Sequence, residues 1–331
     1  MKLKHFNKIW SAIGLLVVIQ TSAAVMPKQA VGTSPWGKED ERGRLNLMTS
    51  KTRAAVMSRA NFSMVYDLSV DLYVGMPGWQ AAGDPQYQFW MTHTPKGAVV
   101  DDVLSQGEQV NKHVSYSGSA ISMYTHTGTH IDALNHFGLD GEIYNHFSAS
   151  THLGDKGWKK TGAESIPPII ARGVLIDIPA AKQINMLVDD YRITAADIKQ
   201  TLKVQNLSLE QGDVVLIRTG RMQVFEDSQK YMSKSPGLGM DAAIYLAEAG
   251  AMIVGADNLS FEAFPSEILG NYVPVHTFML AQNGIPIIEL ANLEELSSKR
   301  VYEFAFVGGS LKLRGADAAP LRPIAFPLTK H

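Results

Sequence analysis

Residues 124–137 read Tyr-Thr-His-Thr-Gly-Thr-His-Ile-Asp-Ala-Leu-Asn-His-Phe, which brings three histidines and one aspartate into eleven residues. These four are His126, His130, Asp132 and His136. All have even numbers, and even positions of an extended strand share one face. Gly128 falls on that face too, and we expect its missing side chain to let a bound ion approach the backbone. Burying these polar groups without partners costs roughly 1–3 kcal/mol each. The pattern therefore predicts a shared metal ion, with zinc, manganese and iron as candidates.

The composition excludes several other kinds of site. The chain has no cysteine, which rules out disulfides and thiolate ligands. Its formal net charge is −2, so no excess of basic residues indicates binding to nucleic acid. Apolar residues make up 45% of the chain, enough for a sizeable core, and no repeat or long linker divides it. We predict no nucleic-acid partner and one domain over residues 25–331.

The first residues are typical of an export signal. A positive start is followed by the apolar run Ile9–Ile19 and by small residues at Ser22-Ala23-Ala24. The positive residues are Lys2, Lys4 and Lys8. The apolar run is short for a transmembrane helix, and a buried amphipathic helix is the alternative. We predict a signal peptide over residues 1–24 and an exported protein, periplasmic or secreted, with no membrane attachment after cleavage.

Apolar runs, turn residues and capping signals predict an alternation of strands and helices. Met64–Leu72 alternates apolar and polar residues, as a half-buried strand does. Thr194-Ala-Ala-Asp197 predicts a capping box that opens a helix ending at about Val204. Further strands are predicted at 119–125, 174–178, 214–217, 251–255, 285–289 and 301–313, the last broken at Gly308-Gly309. Further helices are predicted at 240–248, ended by Gly250, and between Pro274 and Gly284. Strands separated by helices indicate an α/β fold.

A segment rich in glycine and proline, residues 75–97, carries several aromatic side chains. Long irregular segments are uncommon and often line sites. Trp79, Phe89 and Trp90 are therefore predicted to bind a flat, apolar part of a small-molecule substrate. The alternative is that these side chains pin a long loop to the body of the domain, and the sequence does not decide between the two.

The run His126-Thr-Gly-Thr-His-Ile-Asp132, followed by His136, resembles the signature of the metal-dependent cyclase family, which includes bacterial kynurenine formamidase and isatin hydrolase. The resemblance extends to Trp36-Gly37, Asp40-Glu41, Gly43–Leu47, Val214–Gly220, Gly255–Asp257, His276 and Glu289. It implies a single α/β domain with a mixed, β-barrel-like sheet flanked by helices. One departure is Leu134, which stands where the better-known short members carry proline. This puts the turn that aims His136 in question.

The resemblance also implies roles for individual residues. It implies one metal site at His126, His130 and Asp132 and a second at Asp132, His276 and Glu289, with Asp132 bridging two Zn²⁺ or Mn²⁺ ions per chain. His136 resembles the family's catalytic histidine. His146 and His152 are reserve ligands if His276 lies elsewhere. Similar family members are dimers or tetramers, so a homodimer or homotetramer is expected.

These roles predict a metal-dependent hydrolase. A metal-bound hydroxide is expected to attack the carbonyl of an amide, aryl formamide, lactam or related ester, because a metal lowers the pKa of bound water and polarises a carbonyl oxygen. His136 is expected to move the proton from the nucleophile to the leaving nitrogen of the cleaved C–N bond. The substrate is expected to have an aromatic or apolar part.

Two alternatives belong to other classes. His130, Asp132 and His276 also have the composition of the 2-His-1-carboxylate triad of non-haem Fe(II) oxygenases. That triad leaves His126 and Glu289 unexplained, and the predicted helices fit poorly with a jelly roll. The other alternative is an exported, non-catalytic metal-binding protein, which needs neither a catalytic histidine nor an aromatic pocket.

Overall fold

The computed structural model describes residues 30–329, except 103–104, 108 and 110–111. The predicted signal peptide lies outside the described residues. None of the helices in this part of the chain combines the length and the apolar character that a membrane span requires.

The strands of the described chain are numbered in chain order. They are β1 (Tyr66–Asp67), β2 (Gln88–His93), β3 (Gly118–Ser122), β4 (His130–Asp132), β5 (Glu142–Ile143), β6 (Phe147–Ser148), β7 (Leu153–Gly154), β8 (Gly157–Trp158), β9 (Ile169–Asp177), β10 (Arg192–Ile193), β11 (Val214–Arg218), β12 (Gly237–Leu238), β13 (Ile253–Ala256), β14 (Ile287–Glu289), β15 (Glu303–Gly308), β16 (Ala318–Pro320) and β17 (Ile324–Pro327).

The helices are mostly short. They are α1 (Ser50–Met57), α2 (Pro95–Val100), α3 (Ala149–His152), α4 (Ile178–Ala181), α5 (Ala195–Gln205), α6 (Ser228–Met232), α7 (Met240–Glu248), α8 (Pro274–His276) and α9 (Glu294–Ser298). Single 3₁₀ turns lie at Gly43–Leu47, Gln80–Ala82, Tyr144–His146, Ala163–Ser165 and Arg221–Val224, and a π-helical segment, Thr277–Gln282, continues α8.

Nine strands form one curled sheet in the order β1-β17-β15-β9-β11-β13-β14-β4-β16. The four central strands from β9 to β14 are parallel, and the flanking strands are antiparallel. The curled sheet has the shape of a half-barrel flanked by helices. The predicted fold, a single α/β domain with a mixed barrel-like sheet, is confirmed.

Alternate residues of the central strands face two separate cores, because side chains alternate along a strand. On one side, Val174 and Val215 join an apolar cluster with residues of α5 and α7. On the other side, Leu175 and Leu216 join a second cluster with Phe304 of β15. Both faces of the central strands are therefore covered, which explains why their sequences are continuous apolar runs.

Several local predictions are confirmed by the backbone. Thr194 and Asp197 form the predicted capping box of α5. Helix α7 has the predicted bounds and is followed by Gly250, which has a left-handed φ of +91°. The predicted strand at 64–72 is wrong beyond Asp67, because only β1 pairs with the sheet. The break predicted at Gly308-Gly309 in the strand over 301–313 is confirmed, because β15 ends at Gly308, where its pairing with β9 stops.

Candidate metal centre

Strand β4 carries His130 and Asp132 on one face and Ile131 on the other, where Ile131 packs into the core. Its antiparallel neighbour β14 places Glu289 directly opposite His130. Cross-strand partners in such a pair lie only a few ångströms apart. The sheet therefore brings an imidazole and two carboxylates together at the carboxyl end of β14.

His126 reaches the same place from a turn and not from a strand. The extended segment predicted at 119–125 ends at Ser122, and the chain then turns before β4 begins at His130. Gly128 makes the turn with a φ of +65°, which favours glycine. The shared strand face predicted for all four residues is therefore wrong for His126 and His136 and holds only for His130 and Asp132.

The role expected of Gly128 is also wrong. A Cβ atom built on Gly128 would lie 2.2 Å from the side chain of Leu72, so apolar groups occupy the space beside it and leave no approach for an ion. Thr129 fixes the turn to the sheet, because its hydroxyl donates to the carbonyl of Leu290 at 2.6 Å and accepts from the amide of Val70 at 3.0 Å.

His276 enters the centre from α8, which begins at Pro274 as the sequence predicted. Glu262 holds it in place. The carboxylate of Glu262 accepts the backbone N–H groups of Val275 and His276 and lies 2.5 Å from His276 Nδ1. With Nδ1 donating to Glu262, His276 Nε2 is left to face Glu289 Oε1 at 3.3 Å and Asp132 Oδ2 at 3.9 Å.

The structure thus brings together the five side chains predicted as metal ligands, which we call the ligand cluster. They are His126, His130, Asp132, His276 and Glu289. His126 Nδ1 lies 2.9 Å from Asp132 Oδ1 and 3.1 Å from His130 Nε2. His130 Nδ1 lies 2.7 Å from the carbonyl of Gly128, which fixes its Nε2 towards Asp132 and Glu289. Two groups with metal-ligand geometry, His126–His130–Asp132 and Asp132–His276–Glu289, share Asp132.

The polar atoms of this cluster fit a divalent cation. Both carboxylate oxygens of Asp132 are buried, and neither has a hydrogen-bond partner in the described part of the chain, although His126 Nδ1 is near. An unpaired buried carboxylate is costly. Imidazole nitrogen and carboxylate oxygen are ligands that zinc and manganese accept. A metal site requires carboxylate oxygens that are free to bind the ion and imidazole nitrogens that face the same point, and the ligand cluster provides both.

Burial and mutual charge shift the pKa values in the cluster. Burial lowers the pKa of His130, but Asp132 and Glu289 outweigh it and raise that pKa to about 10. Glu262 and Glu289 likewise raise the pKa of His276 to about 10 against the effect of burial. Burial raises the pKa of Asp132, whereas the surrounding imidazoles hold it well below its ordinary value. Protonated imidazoles thus balance the carboxylates, and a bound metal would take the place of those protons.

His136 lies beside the cluster, with its ring 4.1 Å from that of His126. Leu134 is buried in the core, and the amide of His136 donates to the carbonyl of Ala133 at 3.0 Å. A turn that aims His136 towards the site therefore forms with leucine in the place of the family's proline.

Asp317 also reaches the site and was not predicted. Its Oδ2 lies 3.6 Å from His136 Nδ1 and 3.5 Å from His126 Nε2, while its Oδ1 accepts from the hydroxyl of Thr125 at 2.9 Å. Asp317 immediately precedes β16, which pairs with β4. Glu262 was missed as well. No local sequence pattern marks either residue, because each reaches the site through the fold.

A cavity of about 280 Å³ opens onto the cluster. Its aromatic walls are Trp79, Tyr124, Phe137, Phe264 and Tyr272, and His126, His136, His276 and Glu289 also line it. Trp79 lies where the sequence predicted a substrate wall. The structure does not bring Phe89 and Trp90 to this cavity, because β2 pairs with β3 in a separate two-stranded ribbon on which both side chains are about half exposed.

The reserve ligands lie elsewhere. His146 is exposed and contacts Glu142, and its distance to the Thr33 hydroxyl is 2.9 Å. His152 packs its ring against Phe147. Among the described residues, neither histidine belongs to a group with metal-ligand geometry.

Comparisons with known proteins agree with this geometry. The model of the Cyclase family matches residues 66–263. The chain is similar to a solved structure described as a novel cyclase, with 27% identity and a TM-score of 0.80 over 90% of this chain and 100% of that chain. A predicted metal-dependent hydrolase from Bacillus stearothermophilus is 26% identical, with a TM-score of 0.50 over 80% and 98%. Isatin hydrolase A from Ralstonia solanacearum, 22% identical with a TM-score of 0.59 over 84% and 97%, shares the fold. A search of curated proteins finds no match.

Proposed function

This chain belongs to the Cyclase family, and we propose that it is a metal-dependent hydrolase that cleaves the C–N bond of an amide, aryl formamide or lactam. The observation that carries the proposal is the position of Asp132. Its two buried oxygens, which have no hydrogen-bond partner among the described residues, lie among three imidazoles and Glu289 at the end of an aromatic cavity. Such a site joins a metal-binding centre to a space for a small molecule with an apolar part.

The ligand cluster would hold two ions of zinc or manganese, with His126 and His130 on one side of Asp132 and His276 and Glu289 on the other. A bound divalent metal supplies an activated water at neutral pH and polarises a carbonyl oxygen. Asp132 faces both groups of ligands, so it is the residue whose loss affects the whole centre. Glu262 and the Gly128 carbonyl keep the ring nitrogens of His276 and His130 correctly aimed.

His136 is the residue placed to move a proton. It lines the cavity and, although it forms a further ligand-type group with His126 and Asp317, it belongs to neither group that shares Asp132. Asp317 lies next to its Nδ1. Its other ring nitrogen, Nε2, can then accept a proton from the attacking water and pass it to the leaving nitrogen. The aromatic walls keep much of the surrounding water away from the substrate, which strengthens the electrostatic interactions in the site.

The first experiment is elemental analysis of metal per chain, for the wild type and for Asp132→Ala, purified without chelator. We expect two zinc or manganese ions per chain in the wild type and the loss of both in the variant. Asp71→Asn, which changes an exposed carboxylate away from the cavity, is the matched control. A wild-type protein without metal contradicts the proposal, and one iron per chain supports the oxygenase alternative instead.

The second experiment separates an enzyme from a metal-binding protein. His136→Ala should keep its metal while hydrolysis of a panel of formamides, lactams and esters falls by about 10²–10⁴-fold, the range typical of a general acid–base residue. If metal-loaded wild-type protein hydrolyses no member of the panel, a non-catalytic metal-binding role is favoured.

The proposals for the cellular setting rest on the sequence. We propose that the mature chain is exported to the periplasm or medium, acts on a small molecule and forms a homodimer or homotetramer. The support is the charged and apolar pattern of residues 1–24 and the family membership. N-terminal sequencing of the exported protein and light scattering of the purified protein test these points.

A further inference from the structure

One charged side chain in the aromatic cavity has no role in the proposed chemistry. Asp84 follows the 3₁₀ turn Gln80–Ala82 and lines the cavity. It is partly buried, and among the described residues it has neither a hydrogen bond nor an ion pair. The other carboxylate in the cavity wall, Glu289, belongs to the ligand cluster. Asp84 is therefore a negatively charged group in the cavity wall that the proposed hydrolysis does not use.

The remaining lining of the cavity favours positive charge. None of the described residues that line it is lysine or arginine, so outside the ligand cluster and His136 a substrate carboxylate would find no cationic partner there. Five aromatic rings border the cavity, and aromatic rings attract ammonium groups through their negative faces. A carboxylate among aromatic side chains is a common arrangement for the recognition of amines.

Tyr124 connects Asp84 to the metal centre. Its ring lies 4.8 Å from that of His126. Burial raises the pKa of the Tyr124 hydroxyl, and the charge of Asp84 raises it further, ahead of Asp317 and Asp132. Asp84 and Tyr124 line the same cavity, which also borders His126 of the ligand cluster. A substrate bound in this cavity can therefore present a charged group to Asp84 and a carbonyl to the ligand cluster.

We infer that the substrate is an amide or formamide that carries a positively charged amino group, which Asp84 and the aromatic walls bind while the carbonyl faces the ligand cluster. This inference rests on the proposed function and names its substrate class. Asp84 acts as a specificity-determining residue. It discriminates by attraction of the cation and by repulsion of substrates with a carboxylate at the same position.

The test uses two aryl formamides of the same shape, 4-(trimethylammonio)formanilide and 4-tert-butylformanilide. They differ in charge and in the electron withdrawal of the para group, so the change of their kcat/KM ratio from wild type to variant is the readout. kcat/KM is measured for both with metal-loaded wild type, Asp84→Asn, Asp84→Glu and the control Asp71→Asn. In the wild type we expect kcat/KM to be about 10–100-fold higher for the cationic compound. Asp84→Asn should reduce this ratio about ten-fold, Asp84→Glu should retain part of it, and Asp71→Asn should not change it. A wild-type ratio near one, or an unchanged ratio in Asp84→Asn, overturns the inference.

A binding measurement separates this inference from the proposed function. Phenyltrimethylammonium, which cannot be hydrolysed, is titrated calorimetrically into metal-loaded wild type and Asp84→Asn. Binding that weakens about ten-fold in Asp84→Asn supports recognition of cations even if no formamide is cleaved, and in that case only the proposed hydrolysis fails. Equal binding to the two proteins, together with formamide cleavage that shows no preference for the cation, overturns the inference and leaves the hydrolase proposal standing.

Discussion

Two buried charged clusters in this domain differ in how their carboxylates are satisfied. Arg218 donates to Asp177 at 3.0 Å and holds Glu294 through two bonds of 2.7 and 2.8 Å. The hydroxyl of Ser297 donates to the other oxygen of Asp177. In the ligand cluster, both oxygens of Asp132 are without a hydrogen-bond partner among the described residues.

The difference separates a structural ion network from a binding centre. The Arg218 network, which consists of Arg218, Asp177, Glu294 and Ser297, is complete without any ligand, since each carboxylate faces the guanidinium and Asp177 receives further donors. The ligand cluster contains no arginine or lysine, and protons on its imidazoles are its only internal source of positive charge. We therefore expect the first cluster to control folding and the second to respond to metal.

The largest expected effect is on folding when Arg218 is replaced. Arg218→Met leaves Asp177, a fully buried carboxylate, without its cation. Removal of one partner of a buried ion pair costs about 3–5 kcal/mol, so the free energy of unfolding of the metal-loaded protein should fall by that amount in urea titrations. The metal content of the folded protein should stay at the wild-type value.

Arg322→Met is the control, since Arg322 pairs with Asp67 on the surface and its loss should have no measurable effect. A loss of metal in Arg218→Met would contradict the separation of the two clusters.

Removal of metal is the complementary change. A ligand that binds only the folded state stabilises it by RT ln(1 + [L]/Kd), which is about 1.4 kcal/mol for each of two ions at a free concentration ten times its Kd. Chelation of the wild type should therefore lower its free energy of unfolding by about 3 kcal/mol, and Arg218→Met should show the same decrease. Asp132→Ala should show none. Thermal unfolding with and without chelator measures all three, and an equal response of Asp132→Ala would show that the metal binds elsewhere.

Asp257 represents a third case, a buried carboxylate that accepts only neutral donors. It accepts from Thr219 N, Thr219 Oγ1 and Gly220 N at 2.7–2.9 Å. Burial raises its pKa from 3.8 to about 6. The folded protein thus binds a proton at Asp257 more tightly than the unfolded chain does. The stabilisation that this proton gives the folded state is complete below about pH 4 and is lost as the pH rises through 6.

Asp257→Asn should therefore remove part of the pH dependence of stability. Between pH 4 and pH 8 the wild type should lose on the order of 2 kcal/mol more than the variant. The absolute stability of the variant is a poor readout, because the amide nitrogen of asparagine cannot accept the Gly220 N–H. The slope of the free energy of unfolding against pH is the measurement, with Asp71→Asn as the control. Equal slopes in the wild type and Asp257→Asn would contradict the raised pKa.

Features that depend on interactions between nearby residues could be predicted from the sequence alone. The apolar runs at Val174 and Val214 identify central strands, because a strand buried on both faces has no polar side. Thr194 and Asp197 identify a helix start through local hydrogen bonds. His130 and Asp132 share a strand face because their spacing is two. Each of these predictions depends on interactions within a few residues.

The rest depends on contacts that no local pattern encodes. Asp317 lies 192 residues beyond Thr125, and the pairing of β16 with β4 brings it to the site. Glu262 contacts His276 because the amide of Val275, near the start of α8, donates to the Glu262 carboxylate. Phe89 and Trp90 have the composition of a pocket wall, yet composition does not say which element a strand pairs with. Resemblance to a family predicted the distant metal ligands His276 and Glu289, which the periodicity of the sequence could not predict.

The smallest effect, and the sharpest test of where the ligand cluster ends, is expected at Asp317. Its half-exposed carboxylate lies between His126 Nε2 and His136 Nδ1, so one oxygen faces both a predicted metal ligand and the histidine proposed to carry the proton. In Asp317→Asn the hydrogen bond from the Thr125 hydroxyl can remain, while the negative charge that orients the imidazole rings of His126 and His136 is lost. Partners of this kind typically contribute 10–100-fold to metal affinity or activity.

We expect the Kd for zinc, measured by competition with a chelator, to rise about ten-fold in Asp317→Asn, and kcat at saturating metal to fall about ten-fold with little change in KM. Asp317→Glu should recover part of both. A change in Kd alone assigns Asp317 to His126, and a change in kcat alone assigns it to His136. If neither changes, Asp317 is an ordinary surface carboxylate, and the ligand cluster ends at the five residues that surround Asp132.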